Sequence, residues 1–259
     1  FVAGVIGVGI AIVVVRFLPL EALGVTLSDT PAFPVGAAIA GSGIPHDQLW
    51  VTSKLNNPNH RRDDALRSFD APMRDLRLDV LDLFLVHWPM ADSPGIDLVD
   101  TWRTMIEILE SGRVRAIGVS NFQAEHLHTI IKATGVTPAV NQIESHPRFP
   151  NTGLIAYDAE RGIATEAWSP LGRDSNLLAE AVIVNVAAAH AITAAQAVLA
   201  WHVARGVTPI PKSASPHRQA ENLASQAVLL SPAEVGAITS LGRPDGRLAG
   251  QDPETYEEM

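Results

Sequence analysis

LDLFLVHWPMADSPGIDLVDTWRTMIEILESGRVRAIGVS, residues 81–120, holds the pattern that decides the fold. It begins with a short apolar run near 81–87 and ends with a second near 115–119. Between them Trp102, Met105, Ile106 and Leu109 recur at the three-to-four-residue period of a helix with one buried face. Gly112 stands where that helix should end. Strand, helix, strand is the repeating unit of a parallel sheet covered by helices.

Outward from this unit the alternation continues. Candidate strands lie near 8–15, 24–28, 49–53, 81–87, 115–119, 138–143, 163–168 and 207–211. A second helical stripe, Leu127, Ile130 and Ile131, runs up to Gly135. Thr193 with Gln196, and Ser231 with Glu234, read as capping boxes, the latter with Pro232 at the first helical position. Pro72 falls inside a helical pattern over 63–76, where it removes a hydrogen bond and costs roughly 3 kcal/mol unless the helix kinks. With no linker and no low-complexity tract, the pattern predicts one α/β domain over residues 1–259, a closed (β/α)8 TIM barrel. An open doubly wound sheet is the alternative, and it lacks its Gly-rich first turn.

Composition narrows the partners. Nineteen basic against 28 acidic side chains give a formal charge of −9 over 259 residues, which offers no basic surface to a nucleic acid. Cysteine is absent, so disulfides, thiolate nucleophiles and Cys-ligated metals are excluded, and a cytoplasmic location is expected. The opening FVAGVIGVGIAIVVV, residues 1–15, is wholly apolar, but Arg16 ends it short of the roughly 18 residues of a spanning helix. It reads as a buried strand, and no membrane partner is expected. Gly4, Gly7 and Gly9 do not have the G-x-G-x-x-G spacing of a dinucleotide loop.

In a barrel the polar residues at carboxyl ends of strands face the site. Lys54 follows the run LWVTS, His87 follows LDLFLV, and Asp29 ends GVTLS. An acid beside a lysine keeps the ammonium charged, and a histidine at the rim can donate a hydrogen bond to a substrate oxygen. Taken singly, each reads equally as structural, and Asp29 as a turn cap before Pro31. Ser120 and Asn121 follow another strand, and Gln142 sits in the next; their amides can orient a carboxamide. Trp168 offers an indole face to a planar ring or packs in the core. Lys212 and Ser213 end the last strand, and Ser215-Pro216 opens a helix carrying Arg218, Glu221 and Asn222. That combination is an anion site suited to a phosphate monoester, or else a solvated surface cluster.

VTSKL (51–55), LDLFLVHWP (81–89), IGVSNF (117–122), AVNQIESHP (139–147), EAWSPLG (166–172) and IPKSASPHRQAEN (210–222) occur in one order along the chain. In that set the chain resembles an aldo-keto reductase of the prokaryotic class that includes 2,5-diketogluconate reductases, from about Val35 onward. The resemblance implies a (β/α)8 barrel that binds NADPH across its carboxyl-end mouth and reduces aldehydes or ketones to alcohols, acting as a monomer on a small carbonyl substrate. It makes Asp29, Lys54 and His87 members of an Asp-Tyr-Lys-His tetrad. Ser120, Asn121 and Gln142 would hold the nicotinamide amide, and Trp168 would stack on its ring. Ser169 and Leu171 would lie along the pyrophosphate. Lys212, Ser213 and Arg218 would grip the 2′-phosphate, with Glu221 and Asn222 beside the adenine. Trp50 and Trp88 are candidates for the substrate mouth, and Glu144 and His146 for an internal polar network.

The chain departs from that family at its start. Asp29-Thr30-Pro31-Ala32-Phe33-Pro34-Val35-Gly36 stands where the family carries Asp-Thr-Ala-x-x-Tyr-Gly-Asn-Glu, and the sequence has only Tyr157 and Tyr256. Residues 1–35 are an atypical, shortened opening. Three explanations follow: a sequence here that differs from the natural protein's, a member that binds NADPH and turns over weakly, or replacement of the phenol by His87 or water. The rival reading is an NADPH-binding sensor or regulatory module. A metal-dependent hydrolase ranks last, since no H-x-H or H-E-x-x-H spacing occurs.

Overall fold

Short β-branched and leucine-rich runs form the sheet, and the amphipathic segments between them form its cover, as a computed structural model describing residues 2–6, 11–15, 32–91, 93–173 and 176–255 shows. The strands are β1 (Val2–Ile6), β2 (Ala11–Val15), β3 (Leu49–Leu55), β4 (Leu81–Val86), β5 (Val114–Ser120), β6 (Val140–Glu144), β7 (Ala164–Trp168) and β8 (Thr208–Ile210). The helices are α1 (Ala32–Gly41), α2 (Arg62–Leu76), α3 (Leu98–Glu110), α4 (Ala124–Thr134), α5 (Thr152–Glu160), α6 (Ala181–Ala189), α7 (Ala194–Ala204), α8 (Pro216–Ala224) and α9 (Pro232–Thr239).

From β3 to β8 every neighbouring pair is parallel. The described residues therefore show a curled sheet of six parallel strands with helices between them. The apolar opening behaves differently: β2 runs antiparallel to β3 and to β1. For β1 and β2 the physical reason is the short link between them, residues 7–10. A parallel return needs a crossover of a dozen or more residues. The candidate strand at 24–28 and Asp29 lie outside the described residues.

Side chains alternate across the sheet. Val51, Leu55, Phe84, Val86, Ile117, Val119 and Ile143 point outward into one core with Phe69, Met73, Trp102, Met105, Leu127 and Ile130 of the covering helices. The opposite face forms the lumen. Its lower layer is apolar, with Leu83, Leu85 and Val140 packed against Trp50 and Ala116. Gly118 belongs to this crowded face: a Cβ there would stand 2.6 Å from the Val140 carbonyl oxygen and 2.7 Å from Leu85 Cδ2.

The end signals read in the sequence hold locally. Gly135 caps α4 with φ 71°, and both capping boxes form at Thr193 and Ser231. Helix α2 continues through Pro72 to an Arg77 cap with φ 57°. Among the described residues no single helix is long and apolar enough to cross a membrane; α6 and α7 pass that test only together, across an 88° bend.

Candidate active site

The carboxyl ends of the parallel strands open into a cavity of about 550 Å³. Lys54 enters it from the penultimate position of β3 and is buried. Burial lowers its ammonium pKa to about 8, with the negative charge of Glu166 working in the opposite direction. His87 sits one residue beyond β4, where its backbone N–H donates to the Leu55 carbonyl at 3.2 Å. Burial and the charge of Lys54 push its pKa down to about 3. The imidazole is therefore neutral near pH 7, a hydrogen-bond donor and not a reservoir of acidic protons.

A web of amides joins the ends of β4, β5, β6 and β7. Asn121 follows β5 in the left-handed region, φ 65°, a conformation its short polar side chain tolerates. Its Nδ2 donates to the His87 carbonyl at 3.0 Å and to Ser120 Oγ at 3.3 Å. Its Oδ1 accepts from Trp168 Nε1 at 2.8 Å. The Ser120 hydroxyl donates to the Gln142 carbonyl at 2.8 Å, and Gln142 Nε2 donates to Glu166 Oε2 at 2.7 Å. The Gln142 Oε1 is left as an acceptor with no hydrogen-bond partner among the described residues, and Gln142 lines the cavity.

Beyond Trp168 the chain makes a tight turn, with Ser169 at φ 48° and the Gly172 N–H returning to the Ser169 carbonyl at 2.9 Å. Ser169, Leu171 and Trp88 line the cavity, as does Lys212 at its far edge. Ser213, Arg218, Glu221 and Asn222 do not; they form a ledge beyond Lys212. There Ser215 caps α8 by accepting from the Arg218 N–H, and Gln219 Nε2 holds the Ser213 carbonyl at 2.9 Å. Arg218 is exposed, whereas Asn222 is buried.

One placement is a correction. Trp50 does not line the mouth; it packs on Leu83, Leu85 and Val140 in the lower lumen. It shares the inward face with Lys54 but lies four residues upstream, roughly 13 Å at about 3.3 Å per residue.

Three residues of the site escaped sequence reasoning. Glu166 hides inside an apolar run and meets Gln142 only through the β6–β7 register, which sets the two side by side. Arg173 lines the cavity with its Nε donating to Ser169 Oγ at 3.1 Å and its guanidinium 5.8 Å from the Trp168 ring. Gln251 reaches the cavity from the C-terminal segment, which is pinned by the Leu248 N–H donating to Glu144 Oε1 at 2.6 Å. Glu166 and Arg173 stand two residues from Trp168 and Leu171, their only sequence signal, and Gln251 carries none. Glu144 and His146 pair at 3.1 Å in the interior. Tyr157 lies on α5, outside the cavity, with Arg161 stacked 3.4 Å from its ring centroid; Tyr256 lies outside the described residues. Among the described residues no group of His, Asp or Glu is arranged to hold a metal ion.

A parallel sheet whose strand ends carry Lys, His, paired amides and a tryptophan defines a class, and the chain belongs to it: the Aldo/keto reductase family profile matches residues 32–243. Among individual relatives, 2,5-diketo-D-gluconic acid reductase B of Corynebacterium sp. is 48% identical over 226 residues, covering 87% of this chain and 80% of that protein. Methylglyoxal reductase DkgA of Salmonella typhimurium is 40% identical over 224 residues, covering 86% of this chain and 79% of the relative. The crystal structure of a point mutant of Gox0644 in complex with NADPH superposes with a TM-score of 0.81 at 41% identity, covering 88% of this chain and 81% of that one.

Proposed function

We propose that the chain is an NADPH-dependent carbonyl reductase and that its parallel sheet is the greater part of a (β/α)8 barrel. The observation that carries this reading is the convergence of Lys54, His87, Ser120, Asn121, Gln142, Trp168 and Lys212, from successive strand ends, on one cavity. The residues suit the cofactor. Gln142 Oε1 offers an acceptor to a carboxamide N–H, and the Trp168 indole, held by Asn121, offers a face to a planar ring. Arg173 and the Ser169–Leu171 turn suit a pyrophosphate. Lys212, with Arg218 on the α8 ledge, suits the additional phosphate of NADPH, and Glu221 and Asn222 flank the adenine side of that ledge.

When bound, the dihydronicotinamide supplies a hydride for the carbonyl carbon. The chain's own residues manage the oxygen. His87, neutral, donates a hydrogen bond to it. Lys54, mostly charged at pH 7 with a pKa of about 8, stabilises the developing alkoxide and gives it a proton, regaining one from water. Asp29 belongs to this group by the family resemblance alone. Trp88 forms part of the wall facing the substrate.

A second reading, an NADPH-binding module with weak or no turnover, is favoured by the want of a tyrosine at the cavity among the described residues. One experiment separates the two. NADPH binding is followed by fluorescence quenching, and absorbance at 340 nm is followed with aldehydes, ketones and diketones. The reductase binds NADPH and consumes it; binding without consumption across the panel selects the module, and no binding removes both. Replacing Lys212 and Arg218 together by alanine should weaken NADPH about 100-fold, since two charge-assisted contacts are lost, and NADH hardly at all. Equal losses would contradict the assignment of the phosphate ledge.

A further inference from the structure

Glu166 has no place in the reaction as described. It sits on β7 two residues before Trp168, on the same inward face but one layer deeper, among groups that all matter to the cavity. Its Oε2 takes the 2.7 Å hydrogen bond from Gln142 Nε2. A carboxyl oxygen acting as acceptor determines which end of that amide turns toward it. The consequence is that Oε1, not Nε2, faces the cavity, so the site recognises an N–H donor and discriminates against a ligand that presents only acceptors. Without Glu166 the amide is free to turn over and the distinction is lost. Lys54 of β3 shares the lumen with Glu166, near enough for the two charges to act on each other but with no direct ion pair between them. The other titratable neighbours are His87 at the end of β4 and Glu144 on β6, the latter engaged by His146 and the Leu248 N–H. Arg173 and Lys212 stand at the mouth.

We propose that Glu166 is a positioning residue of this site: it orients the Gln142 amide for its ligand and sustains the positive charge of Lys54 across the lumen. The proposal rests on the reductase reading for the identity of the ligand, but not for the effect on Lys54. Burial raises the Glu166 pKa, and the Gln142 N–H and the Lys54 charge pull it back down. The two groups therefore stabilise each other's ionised forms.

The sequence has only three lysines, Lys54, Lys132 and Lys212, so each can be followed separately. Lysines of the cofactor-free protein are dimethylated with ¹³C and titrated by NMR, the Lys54 signal being assigned by its loss in Lys54→Met. In Glu166→Gln the Lys54 midpoint should fall by roughly half a unit to one unit while Lys132 and Lys212 keep theirs, because an attractive charge has been removed. Glu166→Asp, which keeps the charge, should return the midpoint toward the parent value. A Lys54 midpoint unmoved in a folded Glu166→Gln protein overturns the electrostatic half. NADPH affinity tests the other half. Glu166→Leu, which cannot accept from Gln142, should weaken NADPH about tenfold, and Glu166→Gln should do so less. Equal affinity in the parent and the leucine variant overturns it. A parent protein that binds no NADPH defeats the reductase reading, while the lysine titration still judges Glu166.

Discussion

Asn141 and Gln142 are neighbours on β6, Thr165 and Glu166 are neighbours on β7, and the sheet turns each pair to opposite faces. On the helix side Asn141 Nδ2 and Thr165 Oγ1 both donate to Asp158 Oδ2, at 3.2 and 3.1 Å. Asn141 also reaches the Phe122 carbonyl at 3.1 Å. These side chains are almost wholly buried, and the protein itself supplies the donors for the carboxyl group. On the lumen side Gln142 meets Glu166 and leaves an acceptor open to the cavity. The same chemistry on consecutive residues thus surrounds a carboxyl group with donors on one face, where Asn141 Oδ1 alone is left without a partner in the interior, and on the other face leaves an acceptor open to the cavity. A polar group under a helix draws nearly all its partners from within the fold; one at the mouth can keep a bond in reserve for a ligand.

The largest expected effect lies on the lumen side. Lys54→Met should lower kcat/KM by about 10²- to 10⁴-fold, the usual worth of a positioned proton donor, with little change in melting temperature, as steady-state kinetics and calorimetry would show. A variant that unfolds instead would make Lys54 a structural group like Asp158. The helix side should answer to stability. Burial outweighs the hydrogen bonds from Asn141 and Thr165 and raises the Asp158 pKa to about 7. A carboxyl group in the unfolded chain ionises near 4. Between those values the folded state holds a proton that the unfolded state has lost, so stability falls as pH rises from about 4 to 7 and levels off above. The span is on the order of 4 kcal/mol, and Asp158→Asn should flatten it while leaving NADPH turnover per folded molecule unchanged. Urea unfolding at several pH values measures it; an equally steep profile in the variant would place the titrating group elsewhere.

The sequence made one of these faces far more legible than the other. Lys54, His87, Ser120 and Trp168 could be read because each lies at or near the end of an apolar run, where a parallel sheet exposes its last inward side chains, and Gln142 because it is a polar residue within such a run. Glu166 could not, since its meaning depends on standing beside Gln142 in the register, and register between strands roughly 20 residues apart is set by packing. Arg173 reaches the cavity through two residues with positive φ, Ser169 and Gly172, which no periodicity announces. The opening run was read as a single strand near 8–15 in a parallel sheet, whereas it holds two antiparallel strands, because apolar content gives neither the number of strands nor their direction.

Trp50 supplies the finest test of the division. Alternation placed it on the inward face with Lys54, and that part of the reading stands. Depth was the missing coordinate: at the amino end of β3 the indole packs on Leu83, Leu85 and Val140, below the ring of polar groups. Trp50→Phe should therefore lower stability by about 1 kcal/mol through lost packing, yet shift KM for a carbonyl substrate less than about twofold, since nothing it touches is at the mouth. If KM instead rises well beyond that in a folded protein, the apolar floor is coupled to the mouth through Leu85 and Gly118, and the lumen acts as one unit in place of the two layers drawn from the packing.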